Sequence, residues 1–387
     1  MKAPRYEVAD VLNQGWQSIE SKEIALNSWQ IRTLRAIKDC RTSALGGHID
    51  GCSSCGHLQL SYNSCRNRHC PKCQGHKKEQ WVQARNKDLL PAPYFHVVFT
   101  LPQEINAIAL VEPKIVYNVL FKAAWATIKN FGSDAKWLGG TMGMVSILHT
   151  WGQNLSLHPH LHCIVPGVAV TEAGFYKRLK TGSKILFPVR AMSRMFRGKF
   201  CALLKTKLPD HYHKIQHGLY RQDWVVYAKK PFGGPKHVIE YLGRYTHKIA
   251  ISNHRLTALS KKQITFNYKY YRAEGKSKQM QLSVPEFIRR FSLHILPKGF
   301  VRMRHYGTLS STWKRGKLQE LQRKMLSKSN KTDKQPEGQS SCNKLHQCPK
   351  CKLPTLVIVC TFDKRGPPVE WMDKLKKYQA VKRMKMN

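Results

Sequence analysis

The chain has 387 residues, with 66 lysines and arginines against 23 aspartates and glutamates and a net charge of +43. This charge predicts a polyanionic partner, and because no stretch approaches the roughly 20 apolar residues of a membrane span, we expect that partner to be nucleic acid rather than a membrane. The start of the sequence shows no apolar signal peptide, which predicts a soluble intracellular protein whose 12 cysteines are metal ligands rather than disulfides.

The N-terminal part is predicted to contain one or two amphipathic helices, because apolar residues from Leu12 to Ile37 recur at near-helical spacing. The following segment, residues 48–78, is crowded with Cys, His and Arg and is too poor in apolar side chains to fold without a metal ion. We therefore predict N-terminal helices and a small zinc-binding domain in residues 1–90.

Two Cys-x-x-Cys pairs predict the zinc site of that domain. Cys52 and Cys55 form one pair and Cys70 and Cys73 the other, and four thiolates of this kind can surround Zn²⁺ tetrahedrally. Cys65, His57, His69 and His76 lie within or beside these pairs, so the exact ligand set stays open, with Cys65 as a further candidate. Because basic side chains surround the pairs, we expect a structural zinc site that presents a surface to DNA. The expected DNA contacts are Arg66, Arg68 and Lys72.

Residues 92–315 are predicted to form an α+β domain with a mostly antiparallel sheet. The apolar run that starts at Tyr94 and is closed by Pro102 is typical of a buried strand, and the order strand, helix, strand, strand indicates the fold class. The further predicted elements are a helix at 113–131, strands at 141–151 and 160–170, a helix at 191–207, a strand at 224–228, a helix from 235, strands at 263–271 and 279–284, and a helix containing Phe287, Ile288 and Phe291.

Residues 316–387 are predicted to be a basic linker and tail. The polar, charged segment 314–339 favours a flexible linker. Beyond it, Cys348 and Cys351 form one Cys-x-x-Cys pair, which predicts a second zinc site; incidental cysteines are the alternative. The potential partners of this pair are Cys342, His346 and Cys360.

His160 and His162 lie two residues apart on an apolar strand and therefore point to the same face of the sheet. Two neighbouring imidazoles can bind one divalent ion and leave coordination positions open for substrate oxygens. Taken alone, such a pair is also compatible with ordinary polar residues of a sheet.

Tyr241 and Tyr245 are four residues apart, which places both phenols on one face of a predicted helix. A phenol with a pKa of about 10 is a poor nucleophile at neutral pH, so it needs a metal ion that polarises the phosphate and cations that favour phenolate. Arg244 and Lys248 are candidates for those cations and for DNA contacts. Without further context, tyrosines at this spacing are more often structural aromatics.

The sequence resembles those of the two-tyrosine transposases of insertion-sequence family ninety-one. The resemblance is carried by the cysteine pairs, the His-Leu-His strand and the tyrosine helix, which follow one another along the chain in this order. Segments 62–73, 241–255 and 296–307 are similar to signatures of that family, and the resemblance covers residues 10–315. Relaxases and plasmid replication initiators share the chemistry, but the zinc module and the segments around Tyr241 and Leu296 favour a transposase.

The resemblance implies a His-hydrophobic-His endonuclease fold, in which an antiparallel sheet carries the metal histidines on a central strand and the tyrosine helix packs beneath it. It implies that His160 and His162 bind Mg²⁺ or Mn²⁺, and that Tyr241 and Tyr245 attack single-stranded DNA ends to give 5′-phosphotyrosine. The resemblance further implies rolling-circle transposition, with the host helicase and replication machinery as partners. It implies a prokaryotic protein of the cytoplasm that associates with the nucleoid. The third metal ligand stays open, with Gln153 favoured over His158 and Glu240.

Other functional classes fit less well. An acidic-triad transposase needs three positioned carboxylates, and region 92–250 shows no recognisable arrangement of them. An ATP-driven helicase is excluded because Tyr270 stands where the phosphate loop around Lys276 requires its first glycine. A zinc-dependent DNA-binding regulator without catalysis explains the charge and the cysteines, and convergence of the histidines with the tyrosines would argue against it.

Overall fold

The computed structural model describes residues 4–73, 87–179, 185–229, 231–232, 238, 243, 248–270, 276–327 and 347–375. The chain begins with the helices α1 (Val8–Gln14), α2 (Trp16–Glu20) and α3 (Ser28–Lys38). Helix α3 starts at a capping box, in which the Gln30 backbone N–H donates to the Asn27 side chain at 2.9 Å and the Asn27 N–H donates to the Gln30 side chain. The predicted N-terminal helices are confirmed.

A small hairpin follows the helices, formed by β1 (Gly47–Cys52) and β2 (Leu58–Tyr62). These two strands carry the first Cys-x-x-Cys pair at their turn.

The main sheet is antiparallel throughout. Its first six strands are β3 (Tyr94–Thr100), β4 (Thr141–Trp151), β5 (Leu157–Pro166), β6 (Val168–Val170), β7 (Tyr176–Arg178) and β8 (Val226–Ala228), in the order β7-β6-β4-β5-β3-β8. Strand β5, which carries His160 and His162, therefore lies between β4 and β3. The predicted α+β class and the central position of the histidine strand are confirmed.

Helices cover one face of this sheet: α4 (Asn106–Val111), α5 (Pro113–Ser133), α6 (Val189–Lys207) and α7 (Pro209–Leu219). Alternation along β5 sends Leu161, Cys163 and Val165 into the core beneath these helices. The neighbouring positions, His160 and His162 among them, face the opposite side.

A second layer is built by the strands β9 (Leu256–Leu259), β10 (Gln263–Tyr270) and β11 (Lys276–Ser283), followed by helix α8 (Val284–Ser292). Its apolar side chains share one core with the N-terminal helices, where Leu12 and Leu34 pack with Phe266 and Phe287. The N-terminal helices are therefore docked on residues 250–295 rather than standing apart from the catalytic region.

The seventh strand of the main sheet is β12 (Met303–Gly307), which pairs with β4. The helices α9 (Ser311–Lys314) and α10 (Lys317–Ser327) follow it and pack on the face opposite α4 to α7. Leu318, Leu321 and Met325 of α10 are buried in a cluster with Ile147 and Ile164. The prediction of a flexible linker from residue 314 is wrong up to residue 327, because three apolar residues at helical spacing suffice to bury one face of a mostly charged helix. Residues 328–339 of that predicted linker lie outside the described residues.

The C-terminal segment, residues 347–375, returns to the N-terminal hairpin. Its strand β13 (Leu356–Phe362) pairs antiparallel with β1, which gives a three-stranded sheet in the order β13-β1-β2. Across the described ranges, every helix is too short or too polar to cross a bilayer.

Candidate functional site

Three imidazoles converge on the face of the main sheet that α10 covers in part. His149 on β4 is the cross-strand partner of His160 on β5, and His162 lies two residues further along β5. The ring centroids of His149 and His162 are 4.6 Å apart, those of His160 and His162 4.9 Å, and those of His149 and His160 5.5 Å. One nitrogen of each ring lies within 4.8 Å of the others, which fits one shared divalent ion.

Hydrogen bonds orient two of these rings. His160 Nδ1 lies 2.6 Å from the backbone oxygen of His158, and because a carbonyl only accepts, His160 donates through Nδ1 and Nε2 carries the lone pair. His162 Nδ1 lies 2.9 Å from Nε2 of His96 on β3, and the rings are stacked 6° from parallel. Such outer partners fix the tautomer of a ligating histidine, so Nε2 is the expected ligand atom of both.

Burial keeps His96, His160 and His162 neutral. Burial lowers the pKa of His160 to about 4 and the pKa of His96 to about 3, and it lowers the pKa of His162 well below its ordinary range. A metal ligand must be the neutral imidazole. An all-nitrogen set suits a transition-metal ion, Mn²⁺ among them, better than Mg²⁺, which prefers oxygen ligands.

The residue that joins His160 and His162 is His149, which the sequence reasoning missed. The favoured third ligand, Gln153, lies in the turn after β4, where its backbone carbonyl accepts a hydrogen bond from Arg255. His158 is exposed at the start of β5, with its ring 5.3 Å from that of His160, and Glu240 lies outside the described residues. One signal in the sequence could have indicated His149. It lies on the predicted strand immediately before β5, two residues after Ile147, and residues two apart on a strand point to the same face.

The predicted nucleophiles Tyr241 and Tyr245, and Arg244 between them, also lie outside the described residues. Lys248, which follows them, is described and half-buried. The pKa of His162 is lowered first by burial, then by neighbouring histidines and by the charge of Lys248. The charge of Lys248, a predicted DNA contact, therefore acts at His160 and His162.

The first cysteine cluster consists of Cys40, Cys65, Cys70 and Cys73. The Sγ atom of Cys73 lies 3.5 Å from that of Cys40 and 3.6 Å from that of Cys65. Zinc–sulfur bonds of about 2.3 Å in a regular tetrahedron would place the sulfurs roughly 3.8 Å apart, whereas a disulfide would place them at about 2.05 Å. Hydrogen bonds from Cys65 and Cys70 lower the pKa of Cys40 to about 7. Four such thiols fit a structural zinc ion.

The second cysteine cluster consists of Cys52, Cys55, Cys348 and Cys351. The expectation of a single site built from Cys52, Cys55, Cys70 and Cys73 is therefore wrong in its pairing, because each Cys-x-x-Cys pair lies in a different cluster. Cys40, at the C-terminal end of α3, completes the first cluster and has no Cys-x-x-Cys spacing that would have drawn attention to it.

Two of the predicted DNA contacts are engaged inside the protein. The Arg68 guanidinium donates to the backbone oxygens of Phe300 and, at 3.3 Å, of Pro297. Lys72 donates to the Cys40 backbone oxygen at 3.2 Å and forms an ion pair with Glu7 at 2.5 Å. Both side chains tie the zinc-binding domain to neighbouring segments, whereas Arg66 is exposed.

We expect Arg68→Ala to lower the free energy of unfolding by about 1–3 kcal/mol, because two backbone carbonyls lose their donor. Arg66→Ala, at an exposed position, should lower the unfolding free energy less than Arg68→Ala does, but it should weaken DNA binding and reduce its salt dependence by roughly one phosphate contact. Chemical denaturation and DNA-binding titrations at several salt concentrations measure the two effects. Loss of DNA affinity in Arg68→Ala at unchanged stability would show that its role is at the DNA surface.

Two family models and two relatives match this chain. A family model described as a putative transposase matches residues 143–317, which include the three histidines, and a model described as a transposase zinc-binding domain matches residues 11–101. The putative transposase y4qJ of Sinorhizobium fredii is 38% identical over 392 residues, which cover 94% of this chain and 98% of that protein. The chain belongs to the transposases of insertion-sequence family ninety-one.

A second relative of this transposase is named as the transposase for insertion sequence element IS801 of Pseudomonas savastanoi pv. phaseolicola. It is 29% identical over 318 residues, which cover 77% of this chain and 74% of that protein. No solved structure matches the chain. The family makes this transposase an enzyme of DNA cleavage and strand transfer, with DNA as its partner and an N-terminal zinc-binding domain.

Proposed function

We propose that this transposase nicks and rejoins the single-stranded DNA ends of an insertion sequence through 5′-phosphotyrosine intermediates formed by Tyr241 and Tyr245. The observation that carries the proposal is the convergence of His149, His160 and His162 on one face of β4 and β5, within reach of one divalent ion. A regulator that only binds DNA does not require a histidine cluster that can bind a divalent ion.

Two described residues on either side of the tyrosines support their place at this site. Val238 is buried in the cluster of Ile147 and Ile164, on the histidine face of the sheet. Lys248 lies close enough to His162 for its charge to act there. Tyr241 follows Val238 by three positions in the sequence, and Tyr245 precedes Lys248 by three.

The proposed cleavage step is a transesterification. A divalent ion at the histidines would supply charge that stabilises the attacked phosphate. The phenolate oxygen of a tyrosine attacks the phosphorus, the bond from phosphorus to the 3′ oxygen breaks, and that oxygen takes up a proton to become a free 3′-hydroxyl. The positive charge of Lys248 favours both the phenolate and the bound phosphate.

Joining reverses this step at a new strand. A 3′-hydroxyl attacks the phosphotyrosine, the new diester forms and the phenol is released, so no nucleotide cofactor is consumed. Two tyrosines allow two successive strand transfers, as rolling-circle transposition requires. The substrate is single-stranded, so we expect a host helicase and the replication machinery to provide it.

The test is a covalent adduct. Purified protein is incubated with Mn²⁺ and labelled single-stranded DNA that carries the element's ends, and denaturing gels show whether DNA stays attached. We expect an adduct with wild-type protein, a reduced or altered one with either Tyr241→Phe or Tyr245→Phe, and none with the double variant or with His160→Ala. Tyr220→Phe, an exposed tyrosine outside the site, is the matched control.

An adduct that persists in the double tyrosine variant would contradict the proposal. DNA binding with no adduct in the wild-type protein would instead favour the regulator. Cleavage that requires the tyrosines but is specific for a plasmid origin or transfer origin would point to a replication initiator or relaxase.

A further inference from the structure

The second cysteine cluster is built from two turns with the same backbone hydrogen bonds. In the first turn the Cys52 N–H donates to the His57 oxygen at 2.9 Å and the Gly56 N–H donates to the Cys52 oxygen at 3.0 Å. In the second, the Cys348 N–H donates to the Leu353 oxygen at 2.8 Å and the Lys352 N–H donates to the Cys348 oxygen at 2.9 Å. One turn lies in the N-terminal hairpin and the other in the C-terminal segment.

Both turns also share an unusual backbone angle at the residue after the second cysteine. Gly56 has a φ of 65° and Lys352 a φ of 64°. Glycine adopts this region without strain, but lysine rarely does. The second turn therefore has the backbone conformation of the first, although a lysine at this position does not favour it. Both turns would need this conformation to place their two thiolates around one tetrahedral metal ion.

We infer that the second cysteine cluster is a zinc site shared between the two ends of the chain, and that zinc holds the C-terminal segment on the N-terminal zinc-binding domain. Cys348 and Cys351 lie beyond the residues that the zinc-binding and transposase family models match, 11–101 and 143–317. The site thus extends the zinc-binding domain by a part supplied from the far end of the sequence.

The sulfur geometry fits a metal ion. The Sγ atoms of Cys52 and Cys351 lie 3.7 Å apart, as do those of Cys55 and Cys348, and all four lie within 4.8 Å of one another. These distances are close to the roughly 3.8 Å of a tetrahedral zinc–thiolate site. The Thr355 hydroxyl lies 3.1 Å from Cys52 Sγ, so the C-terminal segment supplies an outer contact as well as two ligands.

Strand pairing alone would stabilise the docked C-terminal segment only weakly. Strand β13 aligns with β1 from Gly47 opposite Phe362 to Cys52 opposite Leu356. Its side chains are nevertheless largely in solvent, with Val357 53% and Ile358 60% exposed, so docking removes little apolar surface from water. A metal bridge between residues 299 apart in the sequence supplies the missing attachment.

The first test counts zinc in the purified full-length protein by elemental analysis. We expect two zinc ions per chain in the wild type and one in Cys348→Ser/Cys351→Ser. Cys360→Ser is the matched control, because Cys360 lies on β13 but outside the cluster, and it should retain both ions. One zinc in the wild type, an unchanged content in the double variant, or a double variant without any zinc would each overturn the assignment.

The second test asks whether zinc holds the segment in place. A site-specific protease sequence is inserted after Asn330 of the full-length protein, the chain is cut, and the N-terminal part is captured by an affinity tag. The C-terminal fragment should be retained in the wild type and in Cys360→Ser but released in Cys348→Ser/Cys351→Ser. Retention in the double variant would show that β13 docks without the metal. Neither readout depends on the tyrosine chemistry.

Discussion

His149→Ala should lower the rate of Mn²⁺-dependent cleavage of single-stranded DNA by at least about 100-fold, since loss of a ligand exceeds the 10–100-fold effect typical of an outer-shell change. His149 supplies one of three imidazole nitrogens that lie within 4.8 Å of one another. Without it, two histidines on β5 remain, and a two-ligand site binds the ion weakly and positions it poorly. The measurements are the cleavage rate and the Mn²⁺ affinity.

Two neighbouring variants are the controls for this prediction. Gln153→Ala should stay close to wild type, because the contact of Gln153 in the structure is made by its backbone oxygen. His158→Ala should also have a small effect, because His160 is oriented by the backbone oxygen of residue 158 rather than by its ring. If Gln153→Ala were as damaging as His160→Ala while His149→Ala was active, the third ligand would be Gln153.

Cys70→Ser is expected to lower the free energy of unfolding by more than about 3 kcal/mol, because a structural zinc ion contributes its binding free energy to folding. Cys70 is fully buried in the first cysteine cluster, and that cluster lies in the same core as Leu34 and Phe287. Loss of the metal therefore weakens the contact between the N-terminal helices and α8 as well as the zinc-binding domain. Denaturant unfolding and zinc content are the measurements.

A buried cysteine outside the clusters is the matched control for Cys70→Ser. Cys201 is 1% exposed on α6, and Cys201→Ser should cost only about 1–3 kcal/mol, as for a hydroxyl placed in an apolar core. Its zinc content should equal that of the wild type. Equal losses of stability in the two variants, with zinc unchanged in both, would mean that the first cluster is a set of buried thiols.

The sequence predicted the elements of the catalytic region well because their signals are local. Alternation around His160 and His162 predicts which face of β5 carries the imidazoles, and this needs only the two-residue period of a strand. Helix α10 was not predicted, because a charged segment with only three apolar residues has the composition of a linker. Such a segment is recognised as a helix only when the surface that buries its apolar face is known. That surface contains Ile147 and Ile164, which are far from α10 in the sequence.

The cysteine clusters also depend on contacts between segments that are distant in the sequence. The Cys-x-x-Cys spacing predicts metal binding because two thiolates on one tight turn can share an ion. It does not predict which two turns meet. The structure places Cys52 with Cys351 rather than with Cys73 because β13 pairs with β1, and such pairing of distant strands has no signature within either segment.

The sequence by itself determined the partner class, the presence of zinc-type cysteine pairs, the α+β order of elements, and the shared face of His160 and His162. Each of these follows from charge, composition or spacings of a few residues. Only the tertiary structure decided that His149 joins the two histidines and that the two ends of the chain meet in one cysteine cluster. Both depend on the register between strands, which is set by packing and hydrogen bonding between segments rather than by the residues of either segment alone.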